Sequence, residues 1–338
     1  MQSREPGQRQ LALVFDIGGT RLKGGLITRS GEILATKNLE TPDQTAEGSS
    51  PEQVVISVLA MANWLCDAAA VQMADVDGVG ISIAGFITAE GLVTATAHLS
   101  RKWIGYHLGQ RLEQNWPKPI YFALDTPAPT LGEAYFGAGI GFTDFVYITV
   151  STGIGAGIIA GGRYFTGGLG WAGGVGHTII DETSPRLCEG CGNFGCLETF
   201  AAKQGILTTA NELLDANPES YLNKLIVGKR DQLTPKLIYE AALAEDPVAK
   251  EVFDRAGRAL GIGITNLVDI VAPQRVVIGG GIAQAGDLLL DPAREIVRTH
   301  AFPPNLRTSE IVQSALGDLS GIYGAAAMVF YDLRVNPG

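Results

Sequence analysis

Leu11-Ala-Leu-Val-Phe15-Asp16-Ile17-Gly18-Gly19-Thr20 opens with five apolar residues and closes on a carboxylate, a glycine pair and a hydroxyl. An apolar run of this length bounded by glycine predicts a buried strand that delivers Asp16 and a tight turn to its carboxyl end. Short runs around Lys23 to Thr28 and Glu32 to Thr36, separated by Arg29-Ser-Gly31, extend it into a β-meander. The same order returns later in the chain. Phe145-Val-Tyr-Ile-Thr-Val150 turns through Ser151-Thr152-Gly153-Ile-Gly155 and comes back as Ala156-Gly-Ile-Ile-Ala160 before Gly161-Gly162. Strand, glycine corner, strand, glycine corner, written twice, points to two similarly folded halves.

Between these meanders, Ser50-Pro51-Glu52-Gln53 carries N-cap, first-turn proline and capping-box signals. Val55, Val58, Leu59, Ala62, Leu65, Cys66 and Ala69 then recur at helical spacing, which makes Cys66 a core residue. Val79–Ile83 and Tyr121–Leu124 suit buried parallel strands. They run into Ala84-Gly85 and Asp125, and ligands of open α/β sheets gather at such carboxyl ends. Residues 201–270 are predicted largely helical, with Thr234-Pro235 and Asp246-Pro247 as helix starts. Gly257, Gly261 and Gly263 sit inside the last of these helices, at roughly 1 kcal/mol each relative to alanine, so another backbone or a ligand is expected to approach there. A strand at Val276–Ile278 precedes Gly279-Gly280-Gly281, and a closing helix follows Gly317. The expected division is a polar, disordered lead at 1–10, an α/β lobe of 11–124 plus 319–338, and a second lobe of 125–318, with a cleft between Asp16, Asp125 and the glycine clusters.

With 338 residues, 46% hydrophobic and 18% charged, the chain can bury two cores. Its formal charge of -10 opposes nonspecific adhesion to nucleic acid or anionic membrane. The polar first ten residues lack a signal-peptide core and no later segment has 18 uninterrupted apolar residues, so a cytoplasmic protein is expected.

Three of the four cysteines fall in His177-Thr-Ile-Ile-Asp-Glu-Thr-Ser-Pro-Arg-Leu-Cys188-Glu-Gly-Cys191-Gly-Asn-Phe-Gly-Cys196. One imidazole and three thiols can close a tetrahedral zinc site, with glycines turning the loop around the ion. A disulfide plus a spare thiol, or buried small hydrophobes, are the alternatives, and disulfide frameworks belong mostly to small secreted chains. Four protein ligands leave no open position, so such a zinc would be structural.

Asp16 with Gly18, Gly19 and Thr20 can meet a nucleotide's phosphates, the carboxylate holding Mg²⁺ directly or through water. Thr152, Gly153 and Gly155 repeat the donor arrangement. Neither loop matches the Gly-x4-Gly-Lys-Ser/Thr or Gly-x-Gly-x-x-Gly patterns, which disfavours ordinary P-loop and dinucleotide folds. Asp125 can accept a proton from an attacking hydroxyl, or be a helix cap or turn residue.

These motifs resemble the ROK family of repressors, open reading frames and sugar kinases, from Asp16-Ile-Gly-Gly-Thr20 through Thr152-Gly-Ile-Gly155 and the cysteine segment to Gly317-Asp-Leu-Ser-Gly-Ile-Tyr-Gly324. The resemblance implies a bilobal, duplicated actin-like ATPase/hexokinase fold of the ribonuclease H-like kind, usually a homodimer. It also implies ATP- and Mg²⁺-dependent phosphorylation of a hexose or N-acyl hexosamine. Position by position it puts Asp125 on the catalytic base and Asp16 near metal and phosphates. Gly18, Gly19, Thr20, Thr152 and Gly153 fall on the phosphate loops, and Gly279, Gly280 and Gly281 beside the nucleotide. His177 falls on a residue that ligates zinc with Cys188, Cys191 and Cys196 and approaches the sugar. Glu198 falls on a sugar-contacting carboxylate, Gly85 on the sugar-side loop, and Trp103 on a tryptophan of the motif.

Several sugar-side positions depart from the family pattern. Leu124-Asp125-Thr126-Pro127 stands where Asn-Asp-x-Asn is common, Gly174 replaces a glutamate, and His98 replaces an asparagine. The first two cysteines are one residue further apart than usual. A pocket that recognises hydroxyls pairs them, and an unpaired one costs about 1–3 kcal/mol. Either another group, such as His98, replaces the lost contacts, or the acceptor is a different polyol or modified sugar; the rival is a noncatalytic sugar-responsive regulator on the same scaffold. Only 15 residues precede Asp16, too few for the helix-turn-helix domain of the family's repressors, so no nucleic-acid partner is expected.

Overall fold

The computed structural model describes residues 10–42, 50–96, 99–227 and 229–335. They form two compact units. Elements are numbered in chain order.

The first unit holds a mixed sheet of β1 (Leu11–Ile17), β2 (Arg21–Thr28), β3 (Ile33–Glu40), β4 (Gly78–Ile83) and β7 (Ile120–Leu124), in the order β3-β2-β1-β4-β7. β1 and β2 are antiparallel, whereas β1, β4 and β7 run parallel. The predicted hairpin corner is a turn in which Gly31, at φ +88°, donates to Thr28 O at 2.9 Å. Helix α1 (Pro51–Ala68) starts where Gln53 Oε1 accepts from Ser50 N at 3.2 Å, and it buries Val55, Val58, Ala62, Leu65 and Cys66. A hairpin of β5 (Gly85–Ile87) and β6 (Val93–Thr96) follows β4 and packs beside β7. Helices α2 (Leu108–Glu113), α3 (Pro127–Phe136) and α10 (Ser320–Tyr331) complete the unit.

The second unit repeats the plan. β8 (Phe145–Val150), β9 (Ile154–Ala160), the two-residue β10 (Arg163–Tyr164), β11 (Arg275–Gly279) and β12 (Glu310–Gln313) are ordered β10-β9-β8-β11-β12. β8 pairs antiparallel with β9 and parallel with β11, which pairs parallel with β12. Helices α4 (Glu198–Ala201), α5 (Lys203–Ala216), α6 (Tyr221–Leu225), α7 (Pro235–Leu243), α8 (Pro247–Val271) and α9 (Asp287–His300) carry its other core residues. The glycines of α8 receive neighbouring chain: a Cβ at Gly257 would lie 2.4 Å from Leu289 O and one at Gly261 2.8 Å from Ala293 O, both on α9, while Gly263 admits Leu197. The glycine-to-alanine propensity loss is thus offset by close helix packing.

The units divide elsewhere than the sequence suggests. The first takes in the chain to Gly141, the segment Tyr164–Trp171 and the chain from Ala315, so the boundaries at 124/125 and 318/319 move to 141/142 and 314/315. Backbone contact explains why α3 stays with the first unit. A Cβ on Gly324 would lie 1.6 Å from Ala128 O, one on Gly132 2.4 Å from Ser320 O, and one on Gly80 2.1 Å from Ala325 O, so α10 is seated directly on α3 and β4.

Candidate active site

Parallel pairing aligns the functional ends of the first sheet. Asp16 is registered with Ser82, and Ser82 with Ala123, so Asp16 and the end of β7 lie two strands apart, roughly 10 Å across the sheet. Asp125 follows two residues beyond Ala123, exposed, in the turn that enters α3 at the buried Pro127. Gly85 begins β5 on the same edge, buried, with space for a Cβ only 3.2 Å from Ala95 O. Asp16 near the end of β1, Gly85 just beyond β4 and Asp125 just beyond β7 therefore lie at the carboxyl ends of three neighbouring parallel strands.

Asp16 is half-buried, and desolvation pushes its carboxyl above the usual value of 3.8. Lys23 and the Ser82 hydroxyl pull it down, and Asp318 pushes it up. The Ser82 hydroxyl is fully buried and makes no hydrogen bond of ordinary geometry, so its pull is weak. Lys23 Nζ donates to Asp318 O at 2.8 Å. The first turn of α10 lies against the same carboxylate: a Cβ on Gly321 would stand 2.9 Å from Asp16 Oδ2. The helix N-terminus offers Asp16 partial positive charge, and Gly321 is the residue that admits it. Gly18 N donates to Arg21 O at 3.0 Å and Gly18 O accepts from Thr41 Oγ1 at 2.7 Å, so Gly18 shapes the turn and does not present a donor. Gly19 is half-buried and Thr20 exposed at its tip. Trp103 is a fully buried core residue, edge-on to Tyr106 at 5.7 Å. His98 lies outside the described residues.

In the second unit the register Gly279↔Thr149 brings the glycine run against the Ser151–Gly153 turn. Gly280 has φ +90°, and a Cβ there would lie 2.4 Å from Val150 O; one on Gly281 would lie 3.8 Å from Ser151 Oγ. Thr152 is exposed and Gly153 half-buried. Glu198, at the start of α4, reaches the same turn: its Oε2 accepts from Ile154 N at 2.9 Å, and a Cβ on Gly153 would stand 2.5 Å from that oxygen.

Glu198 Oε1 lies 3.8 Å from Cys188 Sγ, which joins the turn to the cysteine segment. There His177 Nδ1 stands 3.5 Å from Cys188 Sγ, and Cys191 Sγ 3.6 Å from Cys196 Sγ. The ligand atoms of His177, Cys188 and Cys191 lie within 4.8 Å of one another. All four cysteine thiols are free. A zinc tetrahedron with bonds of about 2.0–2.3 Å has edges of roughly 3.3–3.8 Å; the His177–Cys188 and Cys191–Cys196 separations match such edges, while the group that converges within 4.8 Å holds His177, Cys188 and Cys191 without Cys196. Burial, and then the neighbouring Cys191 thiol, push Cys196 up to about 12, and burial pushes Cys188 up; backbone donation from Asn193 pulls Cys191 down. A divalent cation reverses such upward shifts by binding the thiolates. Gly174 is exposed, and a Cβ there meets no atom within 4 Å.

A cavity of about 590 Å³ elsewhere in the second unit, lined by Asn217, Ser220, Tyr221 and Asp246 among others, is a helix junction. The buried Asp246 carboxylate there accepts from Ser220 Oγ at 2.8 Å and Ala249 N at 2.9 Å, capping α8.

Two sheets of equal strand order, each with a glycine turn at the end of its central strand, define the duplicated actin-like ATPase/hexokinase fold. The chain belongs to the ROK family, whose profile matches residues 12–331. It is 32% identical over 315 residues to a glucokinase of Halalkalibacterium halodurans, covering 93% of each chain. It is also 31% identical over 329 residues to a putative xylose repressor of a Caldicellulosiruptor species, covering 97% of this chain and 80% of that protein. A ROK family glucokinase from Streptomyces griseus, solved with glucose and AMPPNP, superposes with a TM-score of 0.79 at 31% identity, over 94% of this chain and 98% of the other. Sugar kinases and repressors are thus both among its relatives. No helix among the described residues is long and apolar enough to cross a membrane.

Proposed function

We propose that this chain is a cytoplasmic, homodimeric ATP-dependent carbohydrate kinase. The observation that carries this reading is the common edge occupied by Asp16 and Asp125, with Asp125 exposed in the turn after β7. Asp125 orients the acceptor hydroxyl and takes its proton as the oxygen bonds to the γ-phosphorus and the bond to ADP breaks. Asp16 would hold Mg²⁺, a hard cation suited to a carboxylate, which supplies charge neutralisation at the phosphates when bound. The family resemblance assigns Thr152, Gly153, Gly279, Gly280 and Gly281 to phosphate and nucleotide, and Gly18, Gly19 and Thr20 to a second phosphate turn. His177, Cys188, Cys191 and Cys196 would hold a structural zinc, and the same resemblance assigns Gly85, His98, His177 and Glu198 to the acceptor.

The test is ADP release across hexoses, N-acetylhexosamines and polyols, with Asp125→Asn alongside. Loss of a general base lowers the rate by about 10²–10⁴, with affinity for an ATP analogue retained. An unchanged rate in Asp125→Asn removes Asp125 from the mechanism. Leu124 and Gly174, at positions where the family carries polar sugar contacts, support a second reading as a noncatalytic sugar-responsive regulator. Calorimetric sugar binding without ADP release by any member of the panel would favour that alternative.

A further inference from the structure

The segment Tyr164-Phe165-Thr-Gly-Gly-Leu169-Gly-Trp171 belongs to the first unit and carries no formal charge. Leu169 is 87% exposed, Trp171 56% and Phe165 49%. Trp171 is nonetheless held in place: its ring stands edge-on to Phe86, with centroids 5.0 Å apart and planes at 65°. Such edge pairing orients an aromatic ring while leaving a face open. Phe86 is the residue after Gly85 in β5, and β5 packs beside β7, whose last residue Leu124 precedes Asp125. A fixed, half-open aromatic corner therefore adjoins the edge where the acceptor hydroxyl would meet Asp125. The polar side chains expected near that edge are missing at Leu124 and Pro127, and Pro127 is buried. Exposed aromatic surface next to a few convergent polar groups is the make-up of a small-molecule subsite.

We propose that Phe86 and Trp171 form an apolar subsite that selects an acceptor sugar bearing a neutral apolar substituent over the unsubstituted hexose. The proposal rests on the carbohydrate-acceptor reading of this edge. An N-acyl group and a glycosidic aglycone share the required chemistry, and the test separates them.

The full chain is titrated by calorimetry, without nucleotide, with glucose, N-acetylglucosamine and phenyl glucoside. At least one substituted sugar is expected to bind about tenfold tighter than glucose, the scale a filled apolar pocket gives. Trp171→Ala and Phe86→Ala should each collapse that ratio, and Trp171→Phe, which keeps a ring, should preserve most of it. Preference for N-acetylglucosamine identifies the N-acyl arm; preference for phenyl glucoside identifies the aglycone arm. Glucose binding as tightly as both, a ratio that survives Trp171→Ala, or no binding by either substituted sugar overturns the subsite. If the preference is present but no ADP is released, the kinase reading fails and the subsite stands.

Discussion

The Glu198 carboxylate accepts a hydrogen bond from Ile154 N at 2.9 Å while its other oxygen stands 3.8 Å from Cys188 Sγ. One side chain thereby ties the glycine turn after β8 to the cysteine segment. The family resemblance puts this residue on the sugar, and its place in the structure adds a second duty: bracing the turn that would face phosphate.

Replacing Glu198 tests that duty. Ile154 is buried, so Glu198→Ala leaves a backbone N–H without its acceptor, at about 1–3 kcal/mol. The variant should melt at lower temperature and bind a non-hydrolysable ATP analogue more weakly. Glu198→Gln keeps an amide oxygen for Ile154 N and should recover most of both. Equal losses in the two variants would show that charge toward a ligand, and not the hydrogen bond, is what matters.

Asp16 sets a pH dependence. Its folded-state pKa is raised by burial, so protonation is favoured in the folded chain, and the stability gained below the ordinary value of 3.8 is lost as pH rises through the higher folded value. Asp16→Asn removes the charge and should raise the melting temperature at pH 7 in Mg²⁺-free buffer. The gain should shrink on acidification toward and below that ordinary value, where the wild-type carboxyl is neutral in both states. A gain independent of pH would mean that the carboxylate is not the source. The same substitution should abolish phosphorylation, a trade of function against stability.

Glu133 is a structural position that motif reading missed. It is fully buried in α3 and accepts from Ala138 N at 2.7 Å, Leu316 N at 3.1 Å and Ala315 N at 3.3 Å. It binds the chain just before it leaves the first unit and just after it returns. Glu133→Ala should lower stability by about 2–4 kcal/mol, from three donors left unsatisfied around a cavity. Urea titration reads this directly, and a loss below about 1 kcal/mol would mean that water replaces the carboxylate.

Zinc content supplies the remaining check. Elemental analysis should find one zinc per chain, and a strong chelator should lower the melting temperature. Cys196→Ser should do the same, because Cys196 is buried in the thiol cluster. Metal-free protein with an unchanged melting curve would assign the cysteines to packing alone.

Local chemistry made much of this molecule legible. The run Leu11–Phe15 has one way to bury itself, as a strand, and the glycine corner after it recurs after Val150, so the duplicated plan was readable from periodicity and turns. The gathering of His177, Cys188 and Cys191 is equally local, since a chain turning on glycines brings its own imidazole and thiols together. Glycines inside α8 foretold a close approach, without saying that α9 makes it.

The location of α3, the unit boundaries, the bracing role of Glu198 and the meeting of Phe86 with Trp171 could not be read this way. Each depends on contacts between residues far apart along the chain: Gly324 against Ala128 O, Ile154 against Glu198, one ring against another 85 positions away. Composition and spacing govern which elements form, because strand and turn preferences act over a few residues. Which elements touch is governed by the packing of whole faces, and that becomes definite only when the complete chain has closed on its cores.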